Sequence, residues 1–218
     1  MNNYIYNTGL LSFIIQIIIQ IIDSYALFLT YNKSSILKKI LLIEYIVNII
    51  EGIFYFLLIT KSSLFKNITL DRYKDWVFST PLMIFTLISY LYYLNHPNII
   101  NLTDIISKEK ITIIIILLLN WIMLFLGYLT EIKYFSLYIG VLLGFIPFFI
   151  MFYMIYINYI NNDNIGYILF YYMFFIWSLY GLAALQNYTI KNIMYNVLDL
   201  FSKNFFSLFI AYLIIISR

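Results

Sequence analysis

Polar residues in this chain fall in short clusters, and between them lie seven long apolar runs. Crossing a bilayer as helix takes about 20 apolar residues, because lipid offers the backbone no hydrogen-bond partner. The pattern predicts membrane helices over residues 8–31, 36–59, 72–94, 110–130, 134–160, 166–187 and 189–216. The breaks between them read "YNKSS", "TKSSLFKN", "NHPN", "TEIKY", "NNDNIG" and, weakest, "QNYTIKN". Residues 99–109, "IINLTDIISKE", are expected to form a surface loop or a short interfacial helix. No repeat marks a second unit, so one domain over residues 1–218 is expected.

Composition agrees. With 64% hydrophobic and 11% charged residues and a mean hydropathy of +0.91, a water-soluble core could not hide this much apolar surface. The expected class is an all-α integral membrane protein with lipid as its main partner. Cysteine is absent, which excludes disulfides and thiolate chemistry. A single histidine, His96 in "NHPN", makes a metal site improbable, and a scattered net charge of +3 gives no argument for nucleic acid. Heavy use of Ile, Asn, Lys, Tyr and Phe reads as an AT-rich coding genome. "MNNYIYNTGLL" has neither a basic flank nor a small-residue cleavage site, so no removable signal peptide is expected. With the N-terminus outside, Lys33, Lys38, Lys39, Lys108, Lys110 and Arg218 lie inside, against Lys61, Lys66, Lys133 and Lys191 outside. Six against four favours that orientation under the positive-inside rule.

Ionisable groups within the spans carry the chemistry, since each costs several kcal/mol unless paired or hydrated. They are Asp23, Glu44, Glu51, Asp75, Asp199 and Lys203. Lys203 stands fourteen residues into the last span, too deep for its ammonium to reach water. Asp199 precedes it by one helical turn. In "DRYKDWVFSTP", Asp75 lies about 4–5 Å deeper than Arg72 along the third helix. Ser79, one turn on, is expected to hydrogen-bond the Asp75 carboxylate. Lys203, Arg72, Asp75 and Asp199 sum to zero charge and can be buried together. A desolvated lysine is also an amine nucleophile for a carbonyl compound. Trp76, Trp177 and Tyr180 would suit a long conjugated aldehyde and Gly127 would leave it room, although plain packing explains aromatics equally well in a chain that is 21% aromatic.

These residues carry a resemblance. "RYKDWVFSTP" at 72–81 resembles the third-helix Arg-Tyr-x-Asp-Trp-x-x-Thr-Thr-Pro of microbial rhodopsins, and "DLFSK" at 199–203 their retinal-binding Asp-x-x-x-Lys. "NWIMLFLG" at 120–127 and "WSLY" at 177–180 are similar to the fourth-helix and sixth-helix pocket segments. The four matches fall in order over essentially the whole chain. The resemblance implies a seven-helix bundle with all-trans retinal bound to Lys203 as a protonated Schiff base. It implies Asp75 and Asp199 as counter-ions, balanced by Arg72, and Trp76 and Trp177 as a sandwich for the polyene. Thr80, Met83, Met123, Gly127 and Tyr180 would line the pocket. It implies a photoreceptor or transporter rather than an enzyme, in a family whose members often form homo-oligomers.

Departures from the family bear on the events after light absorption. Thr86, eleven residues after Asp75, stands where proton pumps carry a donor carboxylate. "NYTIKNIMYN" lacks the release acids, Gly181 replaces a usual Pro, and Ala184 a common Trp. The chain adds a polar track: Ser12, Gln16, Gln20 and Asp23 in the first helix, and Glu44, Asn48 and Glu51 in the second, each series on one helical face. Asn204 and Ser207 add a shorter pair on the seventh. Interhelical hydrogen bonding explains part of this, at roughly 0.6 kcal/mol a pair. Two glutamates about 10 Å apart on one face look more like a cation path. Ser12, Glu44 and Asn204 are similar to the path residues of group 1 viral rhodopsins, which are light-gated cation channels. The expectation is therefore passive conduction of monovalent cations or protons past Ser12, Glu44, Glu51 and Asn204, in a virus-encoded protein of a host membrane. Two alternatives stay open. One is an outward proton pump with Asp75 as acceptor and Glu44 as the resupplying acid; the other is a photosensor acting through a partner protein.

Overall fold

A computed structural model describes residues 2–29, 36–98, 101–161 and 163–216. The predicted break "YNKSS" with Lys33, Asn162 within "NNDNIG", residues 99 and 100, and Arg218 lie outside the described residues. Among the described residues, seven helices are long and apolar enough to cross a membrane: α1 Asn3–Leu29, α2 Ile36–Thr60, α3 Ile68–Asn95, α4 Leu102–Glu131, α5 Leu137–Tyr159, α6 Asn164–Ala184 and α7 Tyr188–Ile216. No strand occurs among the described residues. This is an integral, multi-pass, all-helical membrane protein.

Local chemistry sets the helix ends. Asn67 caps α3 by accepting from the Thr69 and Leu70 amides at 3.0 and 3.3 Å. Asp163 and Asn187 do the same for α6 and α7. At the end of α4, Lys133 takes a left-handed conformation (φ 63°), so that the Tyr134 amide bonds back to the Leu129 carbonyl at 2.9 Å and the helix stops. Pro81 inside α3 cannot donate to the Val77 carbonyl, which lipid would leave unpaired. The indole of Trp121 on α4 donates to that carbonyl instead, at 3.0 Å.

Helices neighbouring in sequence pack together, and α7 closes the ring against α1 and α2. Two sides of the bundle differ. Residues of α3 to α6 supply much of the apolar core, including Leu87, Ile116, Phe152 and Trp177. Between α1, α2 and α7 the interior is polar, with Asp23, Glu44, Asn48, Glu51 and Ser207 fully buried. Large apolar side chains such as Phe28, Ile111 and Phe149 point outward, where lipid takes the place of a core.

Two expectations are corrected. Residues 102–109 are neither loop nor separate helix; they are the first turns of α4, which runs unbroken from Leu102 to Glu131. Lys191, counted as a loop cation, sits in the first turn of α7, nearly buried, and pairs with Glu131 of α4 at 2.5 Å.

Candidate functional site

The "DRYKD" cluster divides between two environments. Asp71 and Lys74 pair with each other at 2.6 Å on the surface, where Lys74 is 81% exposed. Arg72 and Asp75 turn inward and meet α7. That helix carries a π-helical turn at Leu200–Asn204, which contains Lys203. Such turns insert one extra residue and leave the regular ladder locally unmet. The Tyr172 hydroxyl of α6 supports this one, donating to the Phe201 carbonyl at 2.9 Å.

Lys203 Nζ lies 2.5 Å from Asp75 Oδ2 and 3.9 Å from Asp199 Oδ1. Arg72 Nη1 lies 3.0 Å from Asp199 Oδ2. All four groups are buried and their charges cancel, which is the condition for holding ions out of water. Asp199 also accepts from Tyr55 at 2.8 Å and Tyr180 at 2.7 Å. The Arg72 guanidinium donates further to Tyr55, Asn192 and Asn196, and lies 4.9 Å from the Phe54 ring centroid. Ser79 differs from expectation. Its hydroxyl donates to the Asp75 backbone carbonyl at 3.1 Å, the usual bond of a serine one turn along a helix, and Asp75 Oδ1 has no partner.

Next to this cage runs a series of buried polar groups. Gln16 donates to the Asn48 carbonyl at 2.7 Å and to Glu51 at 2.9 Å. Asn48 reaches Asp23 at 3.1 Å and Ser207 at 3.0 Å, while Thr86 of α3 donates to Glu44. Ser12 is spent on backbone carbonyls, Thr8 at 3.0 Å and Asn196 at 2.9 Å, on the Arg72 side of the bundle. One oxygen each of Gln16, Asp23, Glu44, Asn48 and Glu51, and both polar atoms of Asn204, have no partner.

On the other side of Lys203 lies a cavity, part of it open to the surroundings. Trp76, Thr80, Met83 and Met123 line it from α3 and α4, and Trp177 and Tyr180 from α6. Trp76 stands edge-on to Tyr180 and Tyr195, at centroid distances of 5.6 and 5.1 Å. Thr80 accepts from Asn120 at 2.8 Å. Gly127 also lines the cavity, but a Cβ there would come within 2.6 Å of the Tyr73 hydroxyl, so the room this glycine leaves is taken by Tyr73. Ala184 and Gly181 line it too; a Cβ on Gly181 would meet Phe145 at 2.5 Å.

A sequence profile described as "Bacteriorhodopsin-like protein" matches residues 7–217. The chain belongs to the bacteriorhodopsin-like family. Its fold is also that of solved structures. It superposes on viral rhodopsin OLPVRII with a TM-score of 0.82 at 28% identity, covering 95% of each chain. For Acetabularia rhodopsin I the TM-score is 0.77 at 14% identity, over 100% of this chain and 96% of that one. For the thermophilic rhodopsin of Rubrobacter xylanophilus it is 0.75 at 17%, over 95% of each. The last two likenesses concern the fold alone. A search of curated protein sequences gave no match.

Bacteriorhodopsin-like proteins are retinal-binding, light-driven transporters or channels. The cavity fits such a chromophore by its chemistry. Its walls are overwhelmingly apolar, and Lys203, the bearer of a primary amine, is among the residues that line it. Sequence reasoning missed Tyr55, Asn192 and Asn196. The signal was present: 192, 196, 199 and 203 continue one face of α7 at spacings of four, three and four, as do 44, 48, 51 and 55 on α2.

Proposed function

We propose that this bacteriorhodopsin-like protein is a light-gated cation channel and that the whole chain acts as one retinal-binding domain. All-trans retinal, held on Lys203 as an imine, would supply a light-driven change of shape and a positive nitrogen. Asp75 Oδ2, at 2.5 Å from Lys203 Nζ, is the nearest group to hold that charge and to take its proton. Asp199 is held by Arg72 and two tyrosine hydroxyls. Trp76 and Trp177, with Met83 and Met123, would wall in an occupant of the cavity.

The observation that carries the channel reading is the row of buried oxygens without partners on α1, α2 and α7. Unmet carboxylate and amide oxygens are costly in a dry interior, whereas water and passing cations satisfy them. Glu51, Asn204 and Glu44 line that row, with Ser12 at its Arg72 end. Viral rhodopsin OLPVRII, by its name, is in keeping with a viral origin and hence a host membrane. An N-terminus on the outside is supported by Lys38, Lys39, Lys108 and Lys110 at the opposite end of the bundle.

Currents measured under illumination across imposed voltages test this reading. They are expected to reverse sign at a voltage set by the cation gradient; currents that never reverse would sink the channel. Glu44→Gln is expected to lower the cation photocurrent several-fold, and an unchanged current would mean that Glu44 does not line the path. A second reading, an outward proton pump, is favoured by one contact. Glu44 bonds Thr86, the residue standing at the pump donor position, and so brings a carboxyl there from another helix. Acidification of the medium by light at zero voltage would favour it.

A further inference from the structure

Asp23 is fully buried, and its hydrogen bonds come from two other helices. Ser207 of α7 donates to Asp23 Oδ2, and the Asn48 amide of α2 donates to the same oxygen at 3.1 Å. Asn48 also donates to the Ser207 hydroxyl at 3.0 Å, so the three groups close a ring of bonds joining α1, α2 and α7. The ring leaves acceptors over. Asp23 Oδ1 and Asn48 Oδ1 are buried and have no partner, and neither has the Asn204 amide, three residues before Ser207. Ser207 follows Lys203 by about one helical turn, just beyond the π-helical turn.

We propose that Asp23, Asn48 and Ser207 are the closed gate of the pathway, worked directly by the helix that bears Lys203. This rests on the channel reading and names its regulation. A hydrogen bond weakens steeply beyond about 3.5 Å, so a displacement of α7 by about an ångström suffices to open the ring. Once Ser207 withdraws, Asp23 and Asn48 present a carboxylate and an amide oxygen to the pathway, a set suited to a partly hydrated monovalent cation. When α7 returns, Ser207 occupies Asp23 again and expels the cation. The lipid-facing side of α1 takes no part.

Ser207→Ala removes the hydroxyl and leaves the helix intact, while Ser207→Thr restores it. Hydrogen bonds to a charged group bias an equilibrium by roughly tenfold or more. Ser207→Ala is thus expected to close roughly tenfold more slowly than the parent, or to conduct in the dark, with Ser207→Thr behaving as the parent. Closing and dark conductance unchanged in Ser207→Ala would overturn the proposal. Light-minus-dark infrared spectra give an arm independent of conduction. A carboxyl or carboxylate band that changes with light and is lost in Asp23→Asn is expected, and a band at Asp23 blind to light would overturn the gate even in a working channel. If currents never reverse while the Asp23 band responds, the channel reading fails and the coupling of α7 to this ring stands. A parent protein that stays colourless with retinal defeats both.

Discussion

Lys203→Ala, mixed with all-trans retinal, is expected to remain colourless, whereas the parent protein develops a visible absorption band. Lys203 lines the apolar cavity, and among the described residues no other lysine does. Its ammonium lies 2.5 Å from Asp75, so the substitution also strips a buried carboxylate of its counter-charge. Removing one partner of a buried pair costs about 3–5 kcal/mol, and loss of colour through misfolding must be told apart from loss of the attachment point. Lys203→Ala combined with Asp75→Asn removes both charges. The double variant should recover most of the thermal stability of the parent, followed by circular dichroism, and still show no visible band. A coloured Lys203→Ala protein would place the chromophore elsewhere and remove the basis of the proposed function.

Seven apolar runs were legible as seven helices because lipid permits little else: a backbone without water must satisfy itself within each segment. The same rule explains where boundaries failed. Residues 102–109 are polar and sit outside the apolar run, yet helix continues through them, since leaving the bilayer removes a constraint on composition without imposing a break. The charged cage was legible for a related reason. Ions are so costly in lipid that Arg72, Asp75, Asp199 and Lys203 had to find one another, and neutrality fixed the set. Hydrogen-bond partners were harder to read. Ser79 had two acceptors within reach, the carboxylate and the backbone carbonyl of Asp75, and spacing alone does not choose between them. Tyr55 lay hidden among many tyrosines, although it completes the face of α2 that bears Glu44, Asn48 and Glu51. Gly127 shows the limit of reading space from sequence: a missing side chain says that something lies close, and here it is the Tyr73 hydroxyl.

The division of the bundle into two sides gives these pieces a common logic. Lys203 stands between an apolar cavity against α3 to α6 and a polar interior against α1 and α2. Any displacement of its helix therefore disturbs both, and the π-helical turn around it is where α7 is least bound to its own ladder.

Arg72→Gln is the second substitution with a large expected effect, because it unbalances the cage without touching the lysine. Arg72 is fully buried, and its guanidinium is shared among Asp199, Tyr55, Asn192 and Asn196. Glutamine keeps some donor capacity but no charge, so two carboxylates would face one cation. The expected loss of stability is about 3–5 kcal/mol, seen as bleaching of the visible band at lower temperature. Asp199→Asn alone should also destabilise, since it leaves the guanidinium buried against neutral partners. Combining the two restores the balance, with Lys203 facing Asp75 only, and the double variant should bleach closer to the parent than the sum of the single losses predicts. Strict additivity would show that Arg72 and Asp199 do not act as a pair, and parent-like bleaching of Arg72→Gln would show that the cage does not need its fourth charge.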